Sequence, residues 1–273
     1  MWFLAVVQIS DDVAAQARNP LSFTPEPPPE TGARRFLTDR YCCFLSPMPT
    51  VTFVEGLTIA PAEAAEVQHE IREILREAGR SQAAWVVSST EPELREALEA
   101  RGMVAYTDPP LESHSTAMAL TERPDWPDSP GVTVREASTL ADFIRTGELA
   151  AKLFHMSDAD AAAVIENHRT RYDLVQQGRA NMSTFLAFVD GELVGEGQSA
   201  DAMYGSNLSG SSVSPEARGR GVYRALVAAR WDYAVARGIP ALTVQAGSMS
   251  RPVLAKLGFE VVDRQWVLCD RFA

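Results

Sequence analysis

The run Val213-Ser214-Pro215-Glu216-Ala217-Arg218-Gly219-Arg220-Gly221-Val222-Tyr223-Arg224-Ala225-Leu226 constrains this chain more than any other. Strand-like residues ending at Ser212 and Val213 enter a loop with two glycines and three arginines, and that loop opens a helix. The first amides of a helix have no partner inside it, and the helix dipole makes that end electropositive. Glycine at 219 and 221 removes side chains that would hold an anion off the backbone, while Arg218, Arg220 and Arg224 add charge able to reach phosphate oxygens. Together these features predict an anion-binding turn that attracts phosphate.

The flanking pattern is that of a mixed α/β domain. Val132 to Arg135 alternates like a strand, and Leu140 to about Gln177 carries apolar residues at helical spacing, broken near Met156-Ser157-Asp158. Thr184 to Val189 and Glu192 to Gln198 flank Asp190-Gly191, a strong two-residue hairpin turn. Val222 to Arg237 reads as a helix with Leu226, Val227, Trp231 and Val235 on its apolar side and Gly238 as its cap. Ala241 to Val244 is a strand, Arg251 to Leu257 a short helix capped by Gly258, and Glu260 to Cys269 a last strand. The proline-rich run Arg123 to Gly131 is the natural domain boundary.

These residues resemble the GCN5-related N-acetyltransferase (GNAT) family. Its signature is Arg or Gln, two residues, Gly, one residue, then Gly or Ala at the head of the central helix. Arg218 and Gly221 match it, and Tyr223 stands where Gly or Ala is usual, with an amide to offer but a ring that must turn from the diphosphate or stack near it. Ser250-Arg251-Pro252-Val253-Leu254-Ala255-Lys256-Leu257-Gly258-Phe259 and Asp190 to Gly195 resemble the family's closing segment and a frequent hairpin. The resemblance implies a mostly antiparallel sheet flanked by helices, with acetyl-CoA as co-substrate and no metal. It places the cofactor on Ser212, Val213, Arg218, Gly219, Arg220, Gly221, Val222, Tyr223, Arg224 and Ser250, the thioester carbonyl being held by a backbone N–H near Ser211 to Val213.

It implies direct attack by a small amine, which needs a base. The strand Tyr204 to Val213 has no acid, so the candidate is Glu196, with Asp201 behind it; the alternative reading of Glu196 is a solvated strand charge. The family's tyrosine acid has Leu254 in its place, a tolerable loss because a thiol of pKa about 8.5 leaves without full protonation. Ser250 reads more readily as a helix cap. His155 and His168, with Asp158, Asp160 and Glu166, either line an acceptor pocket or form a solvated helix face. The alternatives are another acyl group or a protein amine, and a noncatalytic acyl-CoA sensor or scaffold.

The amino-terminal half echoes the second. Leu57 to Glu63 resembles Ser212 to Glu216, the helical run Val67 to Ala78 ends at Gly79, Ala84 to Val87 matches Ala241 to Val244, and Leu98 to Met103 mirrors Leu254 to Phe259. Ala64, Ala65 and Glu66 stand where the anion loop would be. The expected organisation is a tandem: residues 1–122 a degenerate GNAT-like domain without a CoA site, 123–131 a linker, 132–273 the catalytic domain, acting as monomer or homodimer.

In all, 25 basic residues against 36 acidic ones among 273 give a net charge of −11. That argues against a general role on nucleic acid and tolerates cationic small molecules. Cys42, Cys43 and Cys269 suit a reducing cytoplasm. Trp2 to Ile9 reads as a first strand rather than a signal peptide, and no apolar run is long enough for a membrane span.

Overall fold

The computed structural model describes residues 9–48, 52–108 and 111–272. The expected first strand, Trp2 to Ile9, falls outside them except for Ile9, which is not in a strand. Helices α1 (Asp11–Arg18) and α2 (Pro20–Phe23) precede strands β1 (Arg34–Leu37), β2 (Cys42–Leu45) and β3 (Thr52–Glu55). A 3-10 turn at Pro61–Glu63 leads into α3 (Ala64–Glu77), followed by β4 (Gln82–Ser88), α4 (Pro92–Glu99), β5 (Val104–Ala105) and β6 (His114–Leu120). The second half runs β7 (Val132–Glu136), α5 (Leu140–Leu153), α6 (Asp158–Gln176), β8 (Met182–Val189), β9 (Glu192–Ala202) and β10 (Gly205–Val213). After a 3-10 turn at Pro215–Ala217 come α7 (Val222–Ala236), β11 (Leu242–Ala246), α8 (Arg251–Lys256) and β12 (Glu260–Arg271).

The described residues divide into two compact units: Leu120–Thr243 with residues 9–13, and Ala14–Ala119 with Val244 onward. This differs from the expected split in two respects. The run 123–131 is part of the first of these units, and α8 with β12 is built into the unit of the amino-terminal half. There β12 pairs antiparallel with β4, from Gln265–Ser88 to Arg271–Gln82, and on its other side with β6. Its end is tied to α3 through Asp270, fully buried, which accepts from Arg72 Nε at 3.0 Å and Nη2 at 2.6 Å. Sequence similarity within each half cannot show such an exchange, because a closing strand has the same alternation whichever sheet receives it.

The Ala14–Ala119 unit forms round α3, whose buried residues Ala64, Val67, Gln68, Ile71 and Leu75 recur at helical spacing. They pack with Trp85, Val87, Leu94 and Leu98. In the Leu120–Thr243 unit, strands β7 to β10 form an antiparallel meander and β10 then pairs parallel with β11. Its two faces are distinct. Phe185, Ala187 and Val189 meet Val222 and Leu226 of α7 on one, while Leu186 meets Phe143 of α5 and Tyr172 of α6 on the other. Val235, expected on the apolar side of α7, is exposed, and Ala234 is buried instead. Asp142 starts α5 as the third residue of a capping box with Thr139, and a 2.8 Å bond from Arg135 helps hold its carboxyl well below the usual range.

The two halves repeat one plan. In each, a strand leads to a proline-initiated 3-10 turn, then a helix, then a strand parallel to the first: Phe53–Ala84 and Val54–Trp85 in one, Ser206–Leu242 and Asn207–Thr243 in the other. The difference lies between turn and helix. α3 begins at Ala64, directly after Glu63, whereas four residues, Arg218 to Gly221, separate Ala217 from the start of α7.

Candidate functional site

Those four residues form the turn. Gly219 (φ 76°) and Gly221 (φ 81°) both hold left-handed backbone, which side chains rarely adopt, and Gly221 is the N-cap of α7. A Cβ on Gly221 would lie 2.7 Å from Ser129 Oγ. Val222 is buried against the sheet, which fixes the helix end. Ser129 Oγ donates to Gly221 O at 3.1 Å, and Arg224 Nη2 donates to Asp128 O at 2.7 Å and to Ser129 Oγ at 3.1 Å. The segment expected to be a linker is therefore a strap that holds the helix entrance, and Arg224 is engaged with it. Arg218 Nε reaches Val213 O at 3.4 Å, and Arg220 makes an exposed 3.4 Å pair with Asp190. Such weak surface contacts are readily exchanged for a stronger anion.

β10 leads to this turn through an irregularity. Its register against β9 shifts between Ser209 and Ser211, where Gly210 has φ 47°. It pairs parallel with β11 at Ser206 and Asn207, and its residues beyond the bulge continue toward Val213 along β9. Ser212 and Val213 point to opposite faces: Val213 packs with Val222 and Phe185, and Ser212 sits directly across from Glu196.

Glu196 is only 4% exposed, so the alternative reading of it as a solvated strand charge is overturned. It shares the α5/α6 face with Leu186 and Ser212, its partners on the two neighbouring strands. Ser212 Oγ donates to its Oε1 at 2.9 Å, and Oε2 has no partner among the described residues. Burial pushes its carboxyl up, opposed by the Ser212 hydroxyl and by the guanidinium groups of Arg230 and Arg171.

Arg230 is the residue that sequence reading passed over. Fully buried on α7, it donates from Nε to Leu226 O at 3.0 Å and from Nη1 to Ser211 Oγ at 2.8 Å and Gln198 O at 3.2 Å. The glycines beside Glu196 have separate reasons. A Cβ on Gly197 would sit 3.0 Å from the Arg230 guanidinium carbon, and one on Gly195 would lie 3.1 Å from both Ser212 O and Val222. The Tyr223 phenol is raised by burial and drawn back by its interaction with Arg230, so the tyrosine is directed inward, toward the core side of α7.

Other expected residues lie elsewhere or are otherwise occupied. Asp201 is bound by Tyr233 Oη of α7 at 3.0 Å and by Nη2 of Arg237, the C-cap of α7, at 3.0 Å, and so faces away from Glu196. Ser250 belongs to the unit of the amino-terminal half; it stands at the N-cap position of α8 without a side-chain cap, its Oγ donating to Gly247 O at 3.4 Å. Leu254 is fully buried. His168 is neither solvated nor ionised: it packs beside Phe143, and burial pushes its imidazole down to about 3. His155 is exposed at a left-handed position closing α5, Ser157 caps α6 by accepting from Asp160 N, and Glu166 meets Arg169 at 3.7 Å. No helix among the described residues is long and apolar enough to cross a membrane.

The acetyltransferase (GNAT) domain family model matches residues 153–267. The chain shares its fold with a GCN5-related N-acetyltransferase from Kribbella flavida, at 16% identity and TM-score 0.59, covering 95% of this chain and 94% of that one. It is equally similar to a tandem GNAT protein from the clavulanic acid biosynthesis pathway, solved without acetyl-CoA, at 16% identity and TM-score 0.58 over 96% and 95% of the two chains. A GCN5-related N-acetyltransferase from Sphaerobacter thermophilus aligns at 14% identity and TM-score 0.60, over 86% and 82%. No curated protein matches the sequence. The segment 153–267 is thus similar to the acetyltransferase (GNAT) domain family, and the chain shares the mixed α/β fold of these solved structures.

Proposed function

We propose that the Leu120–Thr243 unit binds acetyl-CoA and transfers its acetyl group to a small amine. The observation that carries this reading is the turn itself: two left-handed glycines, with Arg218 and Arg220 only weakly engaged, at the head of a helix anchored by Val222. The diphosphate would take the amides of Gly219 to Tyr223 and the guanidinium groups of Arg218 and Arg220. Arg224 braces the helix entrance through Ser129 rather than serving as the principal phosphate ligand.

Glu196 is the group this reading assigns to proton removal from the acceptor ammonium. Its raised pKa brings it toward the range in which a base works at neutral pH, and the amine so released attacks the thioester carbonyl, with coenzyme A thiolate leaving. Acetyl-CoA turnover with an amine library, followed as free-thiol release, tests this. Wild type is expected to release thiol only with acceptor, and Glu196→Gln to lose most of that rate while still binding acetyl-CoA. Unchanged turnover in Glu196→Gln across the pH range would remove the base from the scheme, and absence of acceptor-dependent thiol would leave an acyl-CoA-binding protein without transfer.

A further inference from the structure

The unit that lacks the glycine–arginine turn has an opening of its own. The parallel pairing of β3 with β4 runs through Phe53–Ala84 and Val54–Trp85, and beyond it lies a cleft of about 310 Å³ whose lining includes Arg18, Leu57, Val86, Ser88, Glu91 and Asp263. Every lining residue belongs to Ala14–Ala119 or Val244–Ala273. The α1–α2 corner is pinned beside it. Arg18 O accepts from Gln245 Nε2 and Gln265 Nε2, each at 2.9 Å, and Asn19 Oδ1 accepts from Gly56 N at 3.0 Å.

Asp263 sets the chemistry of this cleft. It is only 7% exposed, and its Oδ1 makes a long 3.4 Å contact with Ser89 Oγ. Its Oδ2 is buried and has no partner among the described residues. A buried carboxylate oxygen left unpaired is costly, and a cation is the group that best relieves the cost. Glu91 lines the same cleft, and burial together with Asp263 raises its pKa, as expected of two carboxyls that share a space. Arg18 contributes one guanidinium, so the lining carries two acids against one base. Ser88 and Thr90 add hydroxyls, 2.8 Å apart.

We propose that this cleft binds a small organic cation, with its ammonium or guanidinium group placed between Asp263 Oδ2 and the Glu91 carboxylate. No group of three His, Cys, Asp or Glu side chains suited to a metal ion occurs among the described residues, which favours an organic cation over a metal. The site is independent of the acetyl-CoA reading, because none of its residues lies in the Leu120–Thr243 unit.

Calorimetric titration of the full chain with putrescine, with butane-1,4-diol and succinate as neutral and anionic four-carbon isosteres, tests the proposal. Putrescine is expected to bind saturably and the isosteres not at all. Asp263→Asn and Glu91→Gln should each weaken putrescine binding by about tenfold or more, the effect of losing one charge-assisted contact. Acetyl-CoA binding should be unchanged in both variants. Since Oδ2 has no protein partner to lose, free Asp263→Asn should melt no lower than wild type, and putrescine at one fixed concentration should raise the melting temperature of wild type more than that of either variant. Absence of saturable putrescine binding, binding undiminished in both variants, or displacement of putrescine by Mg²⁺ or Ca²⁺ at equal concentration would overturn it.

Discussion

Replacing Gly197 with alanine tests whether the glycines beside Glu196 exist to admit Arg230. Gly197 has no positive φ, so alanine meets no backbone strain there and gains about 0.4–1 kcal/mol from the reduced freedom of the unfolded chain. Against that gain, the new Cβ would stand 3.0 Å from both Cζ and Nη1 of Arg230 and 3.2 Å from Ser211 Oγ. The guanidinium must retreat by several tenths of an ångström, yet it is held by bonds at 2.8, 3.0 and 3.2 Å in a fully buried site. Loss of one hydrogen bond to a charged group costs about 1.5–3 kcal/mol, so the net expectation is a destabilisation of about 1–2 kcal/mol in urea unfolding. The clash has one named partner, which permits a double-mutant cycle. In an Arg230→Leu background, Gly197→Ala should become neutral or stabilising. An equal cost in both backgrounds would refute the assignment, because the glycine would then be serving some other contact.

Gly221→Ala combines left-handed backbone with a Cβ 2.7 Å from Ser129 Oγ, and should lose at least about 1–2 kcal/mol in the same assay. Glu55 makes stability depend on pH. Buried on β3, its carboxyl accepts from Leu21 N at 2.7 Å and Ser22 N at 3.2 Å, yet burial pushes it up to about 8 from an ordinary 4.5. Between those values the folded chain keeps a proton that the unfolded chain has released, so this contribution to stability falls as pH rises from about 4.5 to about 8. Glu55→Gln should remove that slope, read as the difference in urea midpoints across the window; an unchanged slope would place the titration elsewhere. His168 acts in the opposite direction. Its imidazole, ordinarily 6.5 and lowered to about 3, favours folding above 6.5 and loses that contribution as pH falls toward 3. A proton NMR titration should find it neutral at pH 5.

Much of this was legible in the residues because local chemistry set it. Asp190-Gly191 closes the β8–β9 hairpin, the break at Met156 to Asp158 separates α5 from α6, and Gly79 and Gly238 close matching helices at φ 67° and 75°. The anion turn was legible for the same reason, since glycine and arginine at those spacings have few other uses. Placement in three dimensions was not. Alternation along Glu260–Arg271 marks a strand without naming its sheet, and the proline-rich run 123–131 looked like a spacer although Ser129 and Asp128 brace α7. Arg230 had a readable signal: a charge four residues after Leu226 and three after Val227 stands on the core side of its helix. The burial of Glu196 was not legible because strand alternation gives a face, and what covers that face comes from the separate helices α5 and α6.

In the proposed function the turn between β10 and α7 carries the diphosphate of coenzyme A. Calorimetric titration of the intact protein with acetyl-CoA, beside an Arg218→Ala, Arg220→Ala variant shown to unfold like wild type, tests it most directly. Wild type is expected to bind saturably and salt-sensitively, the variant to bind far more weakly or not at all, and 3′-dephospho-acetyl-CoA still to be bound by wild type through the diphosphate. No binding to wild type, or equal binding by both proteins, would contradict it.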